Sequence, residues 1–422
     1  MTFIRRVNRG ATMRSITAAT IAALMAVAPL NAAPLTFDGA IAVARNNAPS
    51  LRAKALGTAA TKFTRQAAGA LPDPKLSLGV EDFPVSGPLA FKPSRDDFSG
   101  VRVGLSQDIP NLAKRRAQRT RADADIAVAN ADAIMEARSV EVETAVAWIT
   151  LAFAQKRLAA LDGVRDGLAK FVRATPASVA AGSARPAQTV AGKQALAALD
   201  DRRDELVAAL STARANLARW TGDPDPVVVG RVPDFDVNAT ELIGALDANP
   251  VLAPLAARFD QARADVRLAE AERRPDFGVD VSYLRRDPRF GDYVSAGVTV
   301  GLPLFQKHRQ LPMIAARQAE AAQRFAEQDA SRRELAARLQ TALADHVMHH
   351  AQWMRSRGTL EPLAHQRVDL ETASYAAGRA SLVDVADAET ALVDVALTTL
   401  DREALVAIDG ARLTMTYRGA VR

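Results

Sequence analysis

Cysteine is absent from the 422 residues. Its absence excludes disulfides, thiolate zinc sites, thiol nucleophiles and a lipid-modified N-terminal Cys. Aromatic residues are scarce at 5%, and alanine fills much of the 49% apolar share. That combination suits long, closely packed helices better than a thick globular core. Also missing are a Gly-rich phosphate loop, an H-E-x-x-H pair and a G-x-S-x-G elbow. No catalytic constellation emerges, no cofactor is expected, and the chain does not read as an enzyme. Charge, by contrast, is plentiful at 24%, so the composition fits neither a disordered polyelectrolyte nor a polytopic helical membrane protein.

The first residues read as an export signal. Arg5, Arg6, Arg9 and Arg14 precede an apolar run from Ile16 to Leu30, which ends at Asn31, Ala32 and Ala33. The run is short for a bilayer span, which needs about 20 residues, and the small-residue exit fits cleavage after Ala32 better than an uncleaved anchor. Residues 1–32 are therefore expected to be a signal peptide. Their removal takes four arginines and no acid, lowering the formal charge from +6 to +2. The electrostatic case for nucleic-acid binding goes with them.

The chain repeats itself. Ala48-Pro49-Ser50-Leu51 recurs as Asn249-Pro250-Val251-Leu252, and Val103-Gly104-Leu105 as Val300-Gly301-Leu302. Pro110 to Arg116 recurs as Pro303 to Arg309, and Ala180-Ala181-Gly182 as Ala376-Ala377-Gly378. One unit of roughly 190 residues is used twice. The expected division is a first repeat at 33–222, a Gly/Pro/Asp-rich linker at 223–236 and a second repeat at 237–422. Each repeat reads as a helix, two strands, a very long helix, a turn and another long helix. No Gly or Pro occurs from Asn111 to Asp162 or from Met313 to Arg357, and the first stretch alone could reach about 78 Å as helix. Leu196, Leu199, Arg203, Leu206, Leu210, Ala213, Leu217 and Trp220 step by threes and fours, the spacing of a coiled-coil seam.

Four segments alternate with period two. Leu76, Leu78 and Val80 form the first, and Val101, Val103 and Leu105 the second. Phe277, Val279, Val281 and Tyr283 form the third, and Val294, Ala296, Val298, Val300 and Leu302 the fourth. Small or polar residues stand between them, the pattern of membrane β-barrel strands with lipid on one side and a lumen on the other. An ordinary soluble sheet packed on helices is the plainer reading of the strands alone. Four strands cannot close a barrel, for which about eight is the practical minimum, and a membrane sheet cannot keep open edges. Strands of an exported chain must then be pooled with other copies.

The whole mature chain resembles the TolC-type family of outer-membrane efflux proteins. The stretch Tyr375-Ala-Ala-Gly378-Arg-Ala-Ser381-Leu-Val-Asp384-Val-Ala-Asp387 is similar to the family signature at the inter-helix turn of the second repeat. Leu71 to Leu76, Glu81 to Pro84, Gln107 to Asn111 and Lys114 to Arg116 resemble the heavy-metal subgroup, which serves metal-exporting RND pumps. The resemblance implies a mainly α fold with membrane β: long α-helical hairpins forming a coiled-coil α-barrel, and four strands per protomer in a 12-stranded barrel of a homotrimer. It further implies a periplasmic adaptor, an inner-membrane RND pump, contact with outer-membrane lipid, and a passive exit duct for heavy-metal cations. Alternatives are a type I protein secretion outlet or multidrug outlet of the same architecture, and a soluble periplasmic adaptor.

Asp384 and Asp387 lie three apart on one helix face. By the resemblance they line the aperture, where three copies would stack rings of carboxylates that attract cations; the plainer reading is an acidic first helical turn. Tyr375 and Arg379 flank the turn and would tie neighbouring helices in a closed state, although the family's basic partner position holds Ala380 here. Gly182 and Gly378 supply the tight reversals of the periplasmic tip. Four of the five histidines are His346, His349, His350 and His365. His346 and His350, at i and i+4, have a metal-chelating spacing with no third ligand evident. The basic run from Lys114 to Arg121 reads as a solvated helix start that could meet acidic headgroups at the barrel's periplasmic rim.

Overall fold

The computed structural model describes residues 34–180 and 185–417; the expected signal peptide and Gly182 lie outside the described residues. The first half runs α1 (Phe37–Asn47), α2 (Pro49–Ala67), β1 (Lys75–Glu81), β2 (Gly100–Ile109), α3 (Leu112–Ala180) and α4 (Pro186–Thr221). The second runs α5 (Ala239–Gly244), α6 (Ala253–Ala271), β3 (Asp276–Arg286), β4 (Tyr293–Gly301), α7 (Gln310–Arg355), α8 (Glu361–Ala376) and α9 (Leu382–Tyr417). Pro49 and Pro250, the two prolines of the repeated tetrapeptide, both stand at helix starts, where a missing N–H costs nothing.

Helix α3 has 69 residues and extends about 104 Å. It continues well past Asp162, over Gly163, Gly167 and Pro176. Two interior glycines cost about 2 kcal/mol together. Leu161, Leu168 and Val172 offset that by burying themselves against Leu199 of α4 and against Ala386, Val393 and Leu397 of α9. The seam of α4 is the face so used: Leu199, Ala213 and Leu217 are buried, and Leu196, Leu206, Leu210 and Trp220 pack beside them. In the second half the long helix passes through a π-helical turn at Ser356–Leu360, where Glu361 N–H bonds back five residues to Ser356. The wider turn sits just ahead of Pro362, which has no N–H for the usual carbonyl four residues back.

The four strands form one antiparallel sheet in the order β1-β2-β3-β4, with β1 and β4 as open edges. Leu76, Leu105, Val281 and Ala296 lie in one row across it, and Leu78, Val103, Tyr283 and Val294 in the next. Both rows are on the same face, and nothing among the described residues covers it: Leu78 is 72% exposed and Val294 73%. A soluble sheet would bury this face on its own helices, so that reading fails. The opposite face carries Ser77, Gly104, Ser282 and Ser295 in one row. There, a Cβ on Gly104 would fall 2.6 Å from the Ser77 hydroxyl, and one on Gly297 would fall 2.7 Å from the Asp280 carboxylate. Glycine thus lets the polar face curve inward.

Each strand continues into the helix beneath it. Helices α2, α3, α6 and α7 pack side by side in that order, matching β1 to β4. Asn111 locks one junction: its side chain accepts from Lys114 N–H at 2.8 Å and donates to Asp276 at 2.8 Å. Farther along, α3 packs on both α4 and α9, and α9 packs on α7 and α8. A waist core encloses Trp148, whose indole N–H donates to Leu35 O at 2.9 Å. The stretch expected as a linker belongs to this waist. Val228 is buried, Leu35 bonds to Val227 and Val229, and Phe235 closes over Gly410. Among the described residues no helix is long and apolar enough to cross a membrane.

Candidate aperture site

The turn between α8 and α9 lies at the end of the helices farthest from the sheet. Gly378 has φ +71°, the left-handed conformation that glycine adopts without strain. Its N–H bonds to Tyr375 O at 2.9 Å, and Arg379 N–H reaches Ser374 O at 2.8 Å. This paired pattern satisfies the last carbonyls of α8 and reverses the chain. The next helix opens with a reciprocal cap. Ser381 N–H and hydroxyl donate to one Asp384 carboxylate oxygen at 2.7 and 2.8 Å, and Asp384 N–H returns to the Ser381 hydroxyl at 3.4 Å. The Ser381 backbone N–H, then its hydroxyl, hold the Asp384 carboxyl below the usual carboxylate range.

Asp384 and Asp387 are both exposed, on one side of the first turn of α9, while Leu382, Val385 and Ala386 on the other side are buried. Tyr375 stacks edge-on against Phe171 of α3, centroids 6.3 Å apart, so it ties the two hairpins of one chain together. Arg379 is exposed and makes no ion pair among the described residues. The structure therefore brings Tyr375, Gly378, Arg379, Asp384 and Asp387 to one end of the molecule. Two contributors had no sequence signal. Gly192 of α4 lies so close to its neighbours that a Cβ would sit 2.9 Å from Val172 and 3.1 Å from Leu382. Glu389 is buried on α9; that burial raises its carboxyl pKa, and His365 opposes the rise.

His346, His349 and His350 lie elsewhere, where α7 crosses α9. His349 Nδ1 is 2.7 Å from Asp409 of α9. His346 has a buried, unpartnered Nδ1, and burial pushes its imidazole below the usual value, against the pull of Asp409. The rings of His346 and His350 stand 6.4 Å apart. No third ligand joins them: among the described residues no three His, Asp or Glu side chains are grouped to hold a metal ion.

A sheet with a bare apolar face thus stands in strand-for-helix register on the row of α2, α3, α6 and α7. The family model described as "Outer membrane efflux protein" matches residues 244–416. Over that stretch the chain is similar to the outer membrane efflux proteins. The cobalt-zinc-cadmium resistance protein CzcC of Cupriavidus metallidurans is 26% identical over 367 residues, covering 86% of this chain and 84% of its own. Among solved structures, CusC matches with a TM-score of 0.75 at 13% identity, over 91% of this chain and 92% of its own. The CmeC outer membrane channel of Campylobacter jejuni gives 0.74 at 13% identity, over 91% and 85%. The first of these is a metal-resistance protein and the other two form channels. The structural likenesses carry the fold: a helical barrel continued by a β-barrel.

Proposed function

We propose that three copies of the mature chain close a twelve-stranded barrel and a periplasmic helical conduit, a passive exit duct for heavy-metal cations. The observation that carries this reading, and with it an outer-membrane place for the barrel, is the sheet: four strands, both edges open, and a largely apolar face left uncovered. Each β1 edge pairs with the β4 edge of the next copy, so no unsatisfied backbone faces lipid. The helical arcs below, in the same order, close with it. Division into a first repeat at 33–222, a connecting stretch at 223–236 and a second repeat at 237–422, with residues 1–32 removed on export, gives each protomer two such units. Energy comes from an inner-membrane RND pump joined through a periplasmic adaptor at the tip.

Heavy-metal cargo rests on the likeness to CzcC and on the chemistry of the tip. Asp384 stays ionised because its cap holds it so, and Asp387 is exposed beside it. Three copies bring six carboxylates to one constriction, where mutual repulsion and cation attraction act together. Gly378, Tyr375 and Arg379 frame the tip. No resident metal or cofactor is required, and the cation passes as cargo. Deleting the gene and challenging cells with Co, Zn, Cd, Ni, Cu and Ag salts tests the reading. Selective sensitivity to one or more metals is expected; sensitivity to detergents and antibiotics alone would move the chain to the multidrug alternative.

A further inference from the structure

The basic residues below the barrel divide into two sets. Lys114 is paired with Asp276 at 3.1 Å, Arg115 Nε donates to Gly69 O at 2.8 Å, and Arg121 is bound to Asp125 and Asp265. These cations serve the fold. Arg116, Arg267 and Arg274 form no ion pair or side-chain hydrogen bond among the described residues, and all three are exposed. They converge instead on a groove of about 420 Å³ between the start of α3 and the end of α6, which also contains Leu112 and Glu270. The opposite end of the sheet behaves differently. There Arg286 spends its guanidinium on Gly291 O at 2.7 Å and on the carbonyls of Asp97 and Phe290.

Position along the barrel axis gives the groove a meaning. Leu302, Leu304 and Phe305 follow β4, and Leu112 follows β2; all are exposed, Phe305 at 76%. They extend the bare apolar face of the sheet to its periplasmic margin. Arg116 lies one helical turn beyond Leu112, about 6 Å farther from the membrane centre. Headgroups begin at the hydrocarbon edge and occupy roughly 5–7 Å on each side. Arg116 thus stands at phosphate depth, with Arg267 and Arg274 lining the same groove, where water offers cations no gain but anionic lipid does. Lys114, Arg115 and Arg116 also open α3 with no acid in its first turn, an arrangement the helix dipole opposes and an external anion relieves. The second repeat offers the same chemistry in Lys307, His308 and Arg309 ahead of α7.

We propose that the groove lined by Arg116, Arg267 and Arg274 binds the phosphate headgroups of anionic phospholipid in the periplasmic leaflet, fixing the barrel's depth without a lipidated cysteine. The proposal rests on the outer-membrane reading above. Its occupant is a lipid rather than a free anion because charged groove and exposed apolar margin are continuous. One Arg neutralised weakens such attraction about fivefold, and three together on the order of 100-fold at low salt.

The test uses the full-length trimer purified in detergent. Native mass spectrometry follows titration with phosphatidylglycerol or phosphatidylcholine, for the wild type, for R116Q/R267Q/R274Q and for R116K/R267K/R274K. Wild type should retain phosphatidylglycerol in strong preference to phosphatidylcholine. The Gln variant should lose that preference by roughly two orders of magnitude, and the Lys variant should keep most of it. Inorganic phosphate at matched ionic strength should displace none of the lipid. A Gln variant that binds phosphatidylglycerol like wild type would overturn the proposal, as would displacement by inorganic phosphate. Planar-bilayer recordings of the same samples separate the two readings. Conduction without lipid preference sinks the headgroup site alone, whereas a chain that neither trimerises nor conducts sinks the channel beneath it.

Discussion

Replacing Val281 with Arg asks the sheet which solvent it faces. Val281 stands midway along β3, in register with Leu105 and Ala296, and is 52% exposed in the single chain. Were this face in water, an Arg on a half-exposed strand would cost within about 0.5 kcal/mol. Facing the bilayer midplane, it costs about 2–4 kcal/mol, equivalent to roughly a 30- to 900-fold loss in folded population. A trimer carries the change three times, so about 6–12 kcal/mol is at stake, comparable to the whole stability of a typical domain. The control is Thr299→Arg, exposed on the polar face of β4 opposite Gly278; a water-filled lumen should accept it almost without cost. Both variants would be expressed, and heat-resistant trimer in outer-membrane fractions quantified, with urea midpoints measured in lipid vesicles. V281R should yield little or no trimer while T299R approaches wild type. Equal yields and equal midpoints for the two would refute the assignment of the apolar face to lipid.

Other expectations follow from the tip and from the crossing of α7 and α9. Replacing Asp384 and Asp387 together by Asn should leave the trimer assembled yet weaken block by divalent cations and cation preference in planar bilayers; unchanged conductance and block would remove both from the pore. Gly192→Ala places a methyl 2.9 Å from Val172 and should destabilise the tip by about 1–3 kcal/mol, seen as faster amide exchange near Leu382 with the barrel unaffected. Burial raises the Glu389 pKa; such a group leaves stability intact below its unfolded-state pKa and removes it as pH rises through the folded value. Glu389→Gln should therefore gain stability over wild type at pH 8 and little at pH 4, checked by denaturant midpoints at both. His346 works in the opposite sense: its lowered pKa makes stability fall as pH drops through about 6.5, and His346→Gln should flatten that fall.

What the sequence disclosed and what it hid divide along sequence distance. The strands were legible because period-two alternation in Phe277 to Tyr283 or Val294 to Leu302 is local, and because an apolar face left bare needs no partner in the same chain. The reversal at Gly378 was legible for the same reason, since the cap donors and acceptors from Ser374 to Asp384 all lie within one turn. Hidden were contacts between residues far apart in sequence. Nothing near Gly192 says that Val172 and Leu382 press on it from two other helices. Nothing near His349 says that Asp409, sixty residues on, will engage its imidazole, beside the i, i+4 pair of His346 and His350 that has a chelating spacing. The stretch 223–236 read as a linker because Gly, Pro and Asp break regular structure; they do not prevent Val228 and Phe235 from packing into the waist. Helix α3 outran its breaker-free stretch because packing on α4 and α9 outweighs two glycines.

The central claim, that three copies pool their strands into one barrel, can be read from the two open edges. The chain has no cysteine of its own, so pairs can be introduced cleanly, one at Leu76, Leu78 or Val80 on β1 and one at Val294, Ala296 or Val298 on β4. After mild oxidation in intact cells, a neighbouring pair should link copies into a covalent species of three chains in the outer-membrane fraction, with dimers as the only intermediate. If no pair joins separate chains, and the protein is recovered as a monomer from the soluble periplasm, the shared barrel and the conduit built on it are wrong.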